Sequence, residues 1–188
     1  MADAVVQSVV PAAVDTTDLS RIYTAHSRRI RGLLMRLGVA PGDAEDALHE
    51  TFVVAWRRIH TLRDPEALVA WLNGIAVRVE ASLRRRAQLR RFVGLESISE
   101  LAESTTPASE LDTRRAQRLV YAALDGIADK KRTVFILFEL QGMTGHEIAA
   151  IVGCPLKTVW TRLFHARREF LARVTVMERV STSDEQAR

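Results

Sequence analysis

The chain has 188 residues, of which 47% are hydrophobic and 27% charged, enough for one medium domain or two small ones of ordinary globular composition. Its net charge of +4 permits a nucleic-acid partner without requiring one, and its single cysteine excludes an internal disulfide and suits a reducing compartment. No apolar run approaches the roughly 20 residues of a membrane span, and the acid-containing start MADAVVQSVVPAAVDTTD lacks the basic region of a signal peptide.

Residues 1–17 read as a mobile tail. A cap near Asp18 opens a helix to about Leu37, with Ile22, Ile30, Leu33, Leu34 and Leu37 at helical spacing. GVAPGD then breaks the chain. Asp43, followed by Glu45 and Asp46, predicts the N-cap and acidic first turn of a helix to about Ile59. Leu48, Phe52, Ala55, Trp56 and Ile59 form its expected buried stripe. Advancing about 100° per residue from Leu48 puts Asp46, Glu50, Val53 and Arg57 opposite, with His49 beside them. After the loop HTLRDPEA, Asp64 and Pro65 read as N-cap and first helical position. A long helix follows to about Arg91, burying Leu68, Leu72, Ile75, Val79 and Leu83. It ends in RRRAQLRR, where Arg84, Arg85, Arg86, Arg90 and Arg91 repel one another unless phosphate or carboxylate is near. Residues 18–91 thus make a first module of three main helices.

From Phe92 to Thr113 there is no Lys or Arg, but there are Glu96, Glu100, Glu103, Glu110 and Asp112. Residues 92–113 have linker composition. They are read either as a solvated loop or as an acidic, strand-like segment that occupies a basic, nucleic-acid-sized channel in a partner. The second module, residues 114–176, is expected to hold helices from about Ser109 to Gly126 and from about Lys130 to Gln141, with Val134, Phe135, Leu137 and Phe138 in its core. Thr144 and Glu147 have capping-box spacing ahead of a short helix that contributes Ile148 and Val152. Gly153 stops it and Pro155 starts the next. Short helix, tight turn, longer basic helix is helix-turn-helix grammar. On the last helix Leu156, Val159, Leu163, Ala166 and Phe170 face the module. Lys157, Thr161, Phe164, His165 and Arg168 lie opposite, with Trp160 and Arg167 on one flank. Residues 177–188 are taken as a C-terminal tail. No period-2 alternation of useful length occurs, so the expected fold class is all-α: two small helical modules joined by an acidic flexible linker.

Two stretches resemble one family. DAEDALHETFVVAW (Asp43 to Trp56) and AWLNGIA (Ala70 to Ala76) are similar to region 2 of the extracytoplasmic-function (ECF) group of sigma-70 factors. KKRTVFILFELQGMTGHEIAAIVGCPLKTVWTRLFHARREF resembles region 4, which carries the helix-turn-helix. The resemblance spans about Leu19 to Val174, in order, with the acidic linker between. It implies a promoter-specificity subunit of bacterial RNA polymerase acting in the cytoplasm. Region 2 would grip the β′ clamp helices and open the −10 element. Region 4 would sit on the β flap and read the −35 element. An anti-sigma factor is a further partner the family suggests.

On that resemblance, Asp46, His49, Glu50 and Val53 are the expected polymerase contact; the exposed Val53 among charges supports a binding face. His49 stands where the family often has Gln, which keeps a polar donor. His60, Leu62 and Arg63 lie where ECF factors capture a flipped −10 base, enclosure offsetting the cost of unstacking. Arg84, Arg85 and Arg86 are expected on the DNA backbone, positioning it without reading sequence. Arg78 joins the −10 set, although the family usually has Asn there and often a basic or polar residue where Gly74 and Val77 stand. In region 4, Lys157, Thr158 and Thr161 lie near the helix end that enters the major groove. Lys157, Thr161, Phe164 and His165 are expected at base edges or adjacent phosphates, Arg168 at phosphate and Trp160 on the flank. The family usually has Lys where Trp160 stands and a polar residue where Phe164 stands.

Enzymatic signals are weak. His26, His49, His60, His146 and His165 are scattered, HEIAA is not a zinc-binding His-Glu-x-x-His, and Cys154 has no thiol partner. There is no phosphate loop or nucleophile elbow, so neither cofactor, metal nor catalytic residue is expected. Two alternatives stay open: a helix-turn-helix regulator acting without polymerase, and a degenerate sigma-like interaction module.

Overall fold

A computed structural model of the chain describes residues 16–92 and 119–186. Helix α1 runs Thr16–Leu37, taking in two residues assigned to the tail. Ile30, Leu33, Leu34 and Leu37 are buried as their spacing predicts. The helix stops at Gly38, whose φ of 107° suits glycine alone, and whose missing side chain leaves room for Arg132: a Cβ would stand 2.7 Å from its Nη2.

Helix α2 is Ala44–Arg58, entered through a 3-10 turn at Pro41–Asp43. Asp43 holds the N-cap position but its side chain makes no cap bond; Glu45 and Asp46 supply the acidic first turn. Glu45 also accepts from Arg31 Nε at 2.5 Å, tying α2 to α1. Helix α3, Leu68–Phe92, follows 3-10 turns at Ile59–Thr61 and Pro65–Ala67. Asp64 caps the second turn by accepting the Glu66 N–H at 2.9 Å. Leu72, Ile75 and Val79 of α3 close the first core over Leu33, Leu34, Leu48 and Ala55.

In the second module, α4 is described over residues 119–125. Helix α5, Asp129–Phe135, widens into a π turn at Ile136–Leu140, where a regular helix to Gln141 was expected. Helix α6, Gly145–Val152, opens with the predicted capping box: Thr144 Oγ1 accepts the Glu147 N–H, and Glu147 accepts the Thr144 N–H at 2.7 Å. It ends on Gly153 in the left-handed region, at φ 63°. Helix α7, Leu156–Gln186, runs deep into the segment taken as a tail. Nothing between Val174 and Gln186 is Gly or Pro, so no local signal ends it. Val134, Leu137, Ile148, Val159, Leu163 and Ala166 are this module's part of one apolar core that continues into the first module. The linker residues 93–113 and the tail residues 1–15 lie outside the described residues.

The modules touch, α1 against α5 and α3 against α6. Arg29 donates to Gln141 Oε1 at 2.9 and 3.2 Å, and burial lowers the pKa of that guanidinium. Asn73 Nδ2 donates to the Met143 sulfur at 3.6 Å, and Arg84 Nε lies 3.3 Å from Asp129. In consequence α3 is buried on two sides over residues 72–80, broken only by Arg78. The single stripe read from its sequence is the side facing α1 and α2.

Candidate promoter and polymerase interfaces

The outer face of α2 carries Asp46 and His49 exposed, Glu50 half-buried and Val53 48% exposed. These four share one face because they fall opposite Leu48 and Ala55, which α1 and α3 cover. Two contacts hold the face in place. The His49 ring stacks over Tyr23 with centroids 6.4 Å apart, and Glu50 lies 3.6 Å from Arg86 Nη1 of α3. Trp56, expected in the buried stripe, is 57% exposed and belongs to this face instead. It stands about 80° around the helix from Leu48, at the rim of the stripe, while Phe52, nearer the centre, packs edge-on against Tyr23 at 4.8 Å.

Beyond α2, His60 and Arg63 are exposed and Leu62 is half-buried. The loop is braced from below: Thr61 Oγ1 donates to the Arg58 carbonyl at 2.7 Å and accepts from Trp71 Nε1 at 3.3 Å. His60 and Arg63 thus flank a fixed hydroxyl, an arrangement suited to stacking and hydrogen bonding a planar ligand.

The α3 cations divide. Arg85 is exposed, and Arg78 is exposed with Nη1 donating to the Gly74 carbonyl at 3.2 Å. Arg86 is exposed beside Glu50. Arg84, expected on DNA, is turned the other way: it donates to Glu80 Oε1 at 2.9 Å and reaches Asp129 of the second module. Glu80 is 4% exposed, and its carboxyl pKa is raised by burial, with Arg84 and Arg132 opposing that rise. Carboxylates thus face two of these arginines, Arg84 and Arg86.

On α7, Val159, Leu163 and Ala166 are buried and Leu156 and Phe170 half-buried, as the wheel predicts. Lys157, Thr161, Phe164, His165 and Arg168 are exposed, and Thr158 is half-buried. Phe164 is 58% exposed; the His165 ring stands 5.5 Å away and the Arg168 guanidinium 5.8 Å. The Phe164 ring is thus an exposed apolar surface with the Arg168 guanidinium and the His165 ring beside it, outside the buried core. Trp160 is 44% exposed yet anchored, edge-on to Phe138 at 5.5 Å and over Gly145, where a Cβ would meet its ring at 2.7 Å. The flank position therefore combines edge packing with an exposed rim. Arg167 completes it, over the Phe138 ring at 5.4 Å and bonded to Glu139 at 2.6 Å.

Beside this face a cleft of about 560 Å³ opens between the start of α5 and α7, lined by Lys130, Lys131, Thr161, Arg162 and His165 among others. Lys131 is paired with Glu169, whereas Lys130 is exposed. Lys130 was not singled out in the sequence because it belongs to a different helix, and only the fold sets it beside Thr161 and Arg162. Among the described residues no three His, Cys, Asp or Glu side chains converge on a metal-sized site, and no helix is long and apolar enough to cross a membrane.

Comparison with known proteins identifies two matching families. The sigma-70 region 2 family matches residues 22–90, and the sigma-70 region 4 family matches residues 117–170. The ECF RNA polymerase sigma-E factor of Haemophilus influenzae is 30% identical over 163 residues, covering 81% of this chain and 85% of the relative. That of Escherichia coli K12 is 29% identical over 163 residues, covering 81% and 84%. Among solved structures, the sigma factor RpoE in complex with the anti-sigma factor NepR from Bartonella quintana superposes with a TM-score of 0.69 at 24% identity, covering 85% of this chain and 98% of that one. CnrH in complex with the cytosolic domain of CnrY gives 0.62 at 22%, covering 87% and 91%.

Proposed function

The chain belongs to the ECF group of the sigma-70 family of RNA polymerase sigma factors, and from that premise we propose how its surfaces divide the work of starting transcription. The α2 face (Asp46, His49, Glu50, Val53 and Trp56) takes the β′ clamp helices of core polymerase. An apolar centre of Val53 and Trp56 with a charged rim is the usual anatomy of a protein interface. The loop of His60, Leu62 and Arg63 encloses a flipped −10 base, while Arg78, Arg85 and Arg86 hold the backbone nearby. The α7 face (Lys157, Thr158, Thr161, Phe164, His165 and Arg168, with Trp160 at its edge) reads the −35 element in the major groove, and the second module rests on the β flap. Lys130 and Arg162 add phosphate contacts through the neighbouring cleft. The protein directs the polymerase's chemistry and performs none itself, and it acts in the cytoplasm, where core polymerase and promoters are.

The observation that carries this reading is that one chain exposes two separate mixed apolar and charged faces, on α2 and on α7. A regulator acting without polymerase leaves Val53 and Trp56 uncovered. One solved structure of similar fold, the sigma factor RpoE from Bartonella quintana, is in complex with an anti-sigma factor, and the same class of partner is proposed here. The test is run-off transcription by core polymerase on a promoter library with and without the protein. Promoter-specific transcripts that require the protein support the reading. DNA binding that neither needs nor recruits core would replace it with the regulator.

A further inference from the structure

Ten of residues 1–15 are Met, Ala or Val, a richer apolar share than the 47% of the whole chain, and no Lys or Arg precedes Arg21. A segment that stays in solvent is usually poor in apolar residues. Val5, Val6, Val9 and Val10 recur at i, i+1, i+4 and i+5, with Gln7 and Ser8 between them and Pro11 after. On a helical path that spacing gathers the four valines on one side. Helix α1 fixes where this tail joins the fold. Tyr23 meets Phe52 and Arg31 meets Glu45, so α1 and α2 run antiparallel. From Tyr23 back to Thr16, where α1 begins, is about 10 Å along the axis. Trp56 follows His49 and Phe52, the two residues that meet Tyr23, on the same side of α2, about 6 Å beyond Phe52. The tail therefore leaves the fold about one turn from Trp56.

We propose that residues 1–15 form a strap over Val53 and Trp56 in the free chain, and that core polymerase displaces it. These two side chains are the apolar centre of the α2 face, 48% and 57% exposed. Reach is not limiting, since fifteen residues span at most about 50 Å extended and about 20 Å as a helix. Charge directs the tail to this end of α2. Asp3 and Asp15 are its only charged side chains, and the exposed Arg57 and Arg58 follow Trp56 directly. Asp46 and Glu50, toward the other end, repel the same carboxylates. The strap thus covers the apolar centre and leaves the acidic part of the face open. The displacement rests on the reading of α2 as the polymerase contact: strap and clamp helices then compete for Val53 and Trp56.

The experiment is fluorine NMR of the full chain carrying 5-fluorotryptophan, with Cys154→Ser and a nitroxide on Ser8→Cys, the Trp56 and Trp160 lines being assigned by Trp→Phe variants. In free protein the nitroxide is expected to broaden the Trp56 line, and Val5→Ser with Val9→Ser, which adds no charge, is expected to relieve that broadening. Equal broadening of Trp56 in parent and variant would refute the strap. So would broadening of Trp160 instead, which would put the tail on α7. So would a Trp56 line that moves with protein concentration and ignores the variant, which would give the face to a second copy. A strap docked nine-tenths of the time lowers apparent affinity for core polymerase about tenfold, so the double variant is expected to bind core more tightly by that order. Equal affinities would refute the displacement. The NMR measurement needs no polymerase, so its failure refutes the strap whatever α2 binds. Normal core binding by Glu50→Arg would instead count against the polymerase reading of α2 and leave the strap standing.

Discussion

Replacing Phe164 with alanine separates recognition from support. The ring is 58% exposed, with the exposed His165 and Arg168 side chains beside it. Full burial of such a side chain is worth about 1.5–3 kcal/mol, so the part already covered contributes roughly 1 kcal/mol to folding. Covering the rest against thymine methyl groups contributes roughly 1–1.5 kcal/mol to binding, a five- to tenfold change in affinity by the usual arithmetic. Phe164 carries no charge, so its removal leaves the salt dependence of binding alone. The assay is equilibrium binding of the polymerase complex to duplexes that differ only at −35, across a salt series. Phe164→Ala should compress the spread between the best and worst sequences with an unchanged salt slope. In contrast, Arg168→Gln should weaken all of them and lower the slope by about one. A uniform loss in Phe164→Ala, with the spread intact, would mean that Phe164 only props the helix and that α7 reads bases through other residues.

Glu50→Arg places a cation against Arg86 and on the proposed polymerase face. It should weaken core binding in a fluorescence titration while leaving the far-ultraviolet spectrum intact, and unchanged affinity would remove α2 from the interface. Trp56→Ala should do likewise, with a change in unfolding free energy well below the roughly 3–5 kcal/mol of a buried aromatic; a loss of that size would show the ring to be core after all. Thr144→Ala removes the side-chain half of the capping box while leaving the residue-144 N–H on the Glu147 carboxylate, and should cost about 1 kcal/mol in urea unfolding, an effect absent if α6 is held by packing alone. Glu80 has a raised pKa in the fold, so the native state holds its proton more tightly than the unfolded chain. Its contribution to stability should therefore fall as pH climbs from the ordinary carboxylate range through the raised value. Glu80→Gln lacks that fall, and a difference in urea midpoint between parent and variant that does not vary with pH would contradict it.

Where neighbours in sequence decide a feature, it was legible. Thr144, Glu147, Gly153 and Pro155 sit within a few residues of the turn they form, and the α7 stripe from Leu156 to Phe170 follows from spacing alone. The misread features depend on distant residues or on missing signals. Trp56 lies at the rim of a stripe, where a wheel cannot say how far the neighbouring helices reach. The π turn at Ile136–Leu140 has the same apolar spacing that a regular helix would show. The second buried side of α3 depends on Met143 and Ile151, some 70 positions away, and looks in the sequence like polar and small residues on a solvated face. Within the arginine run, nothing local shows that Glu80 and Asp129 would face Arg84 and that Glu50 would face Arg86.

The central claim is that this chain brings core polymerase to a promoter and opens it at −10. The most direct measurement places 2-aminopurine in the −10 segment of a promoter selected by transcription and follows its fluorescence. The expected result is a rise, reporting unstacked bases, only when core polymerase and the protein are both present, and its loss when the α2 face carries Glu50→Arg. A rise with the protein alone, or none with both together, would contradict the account.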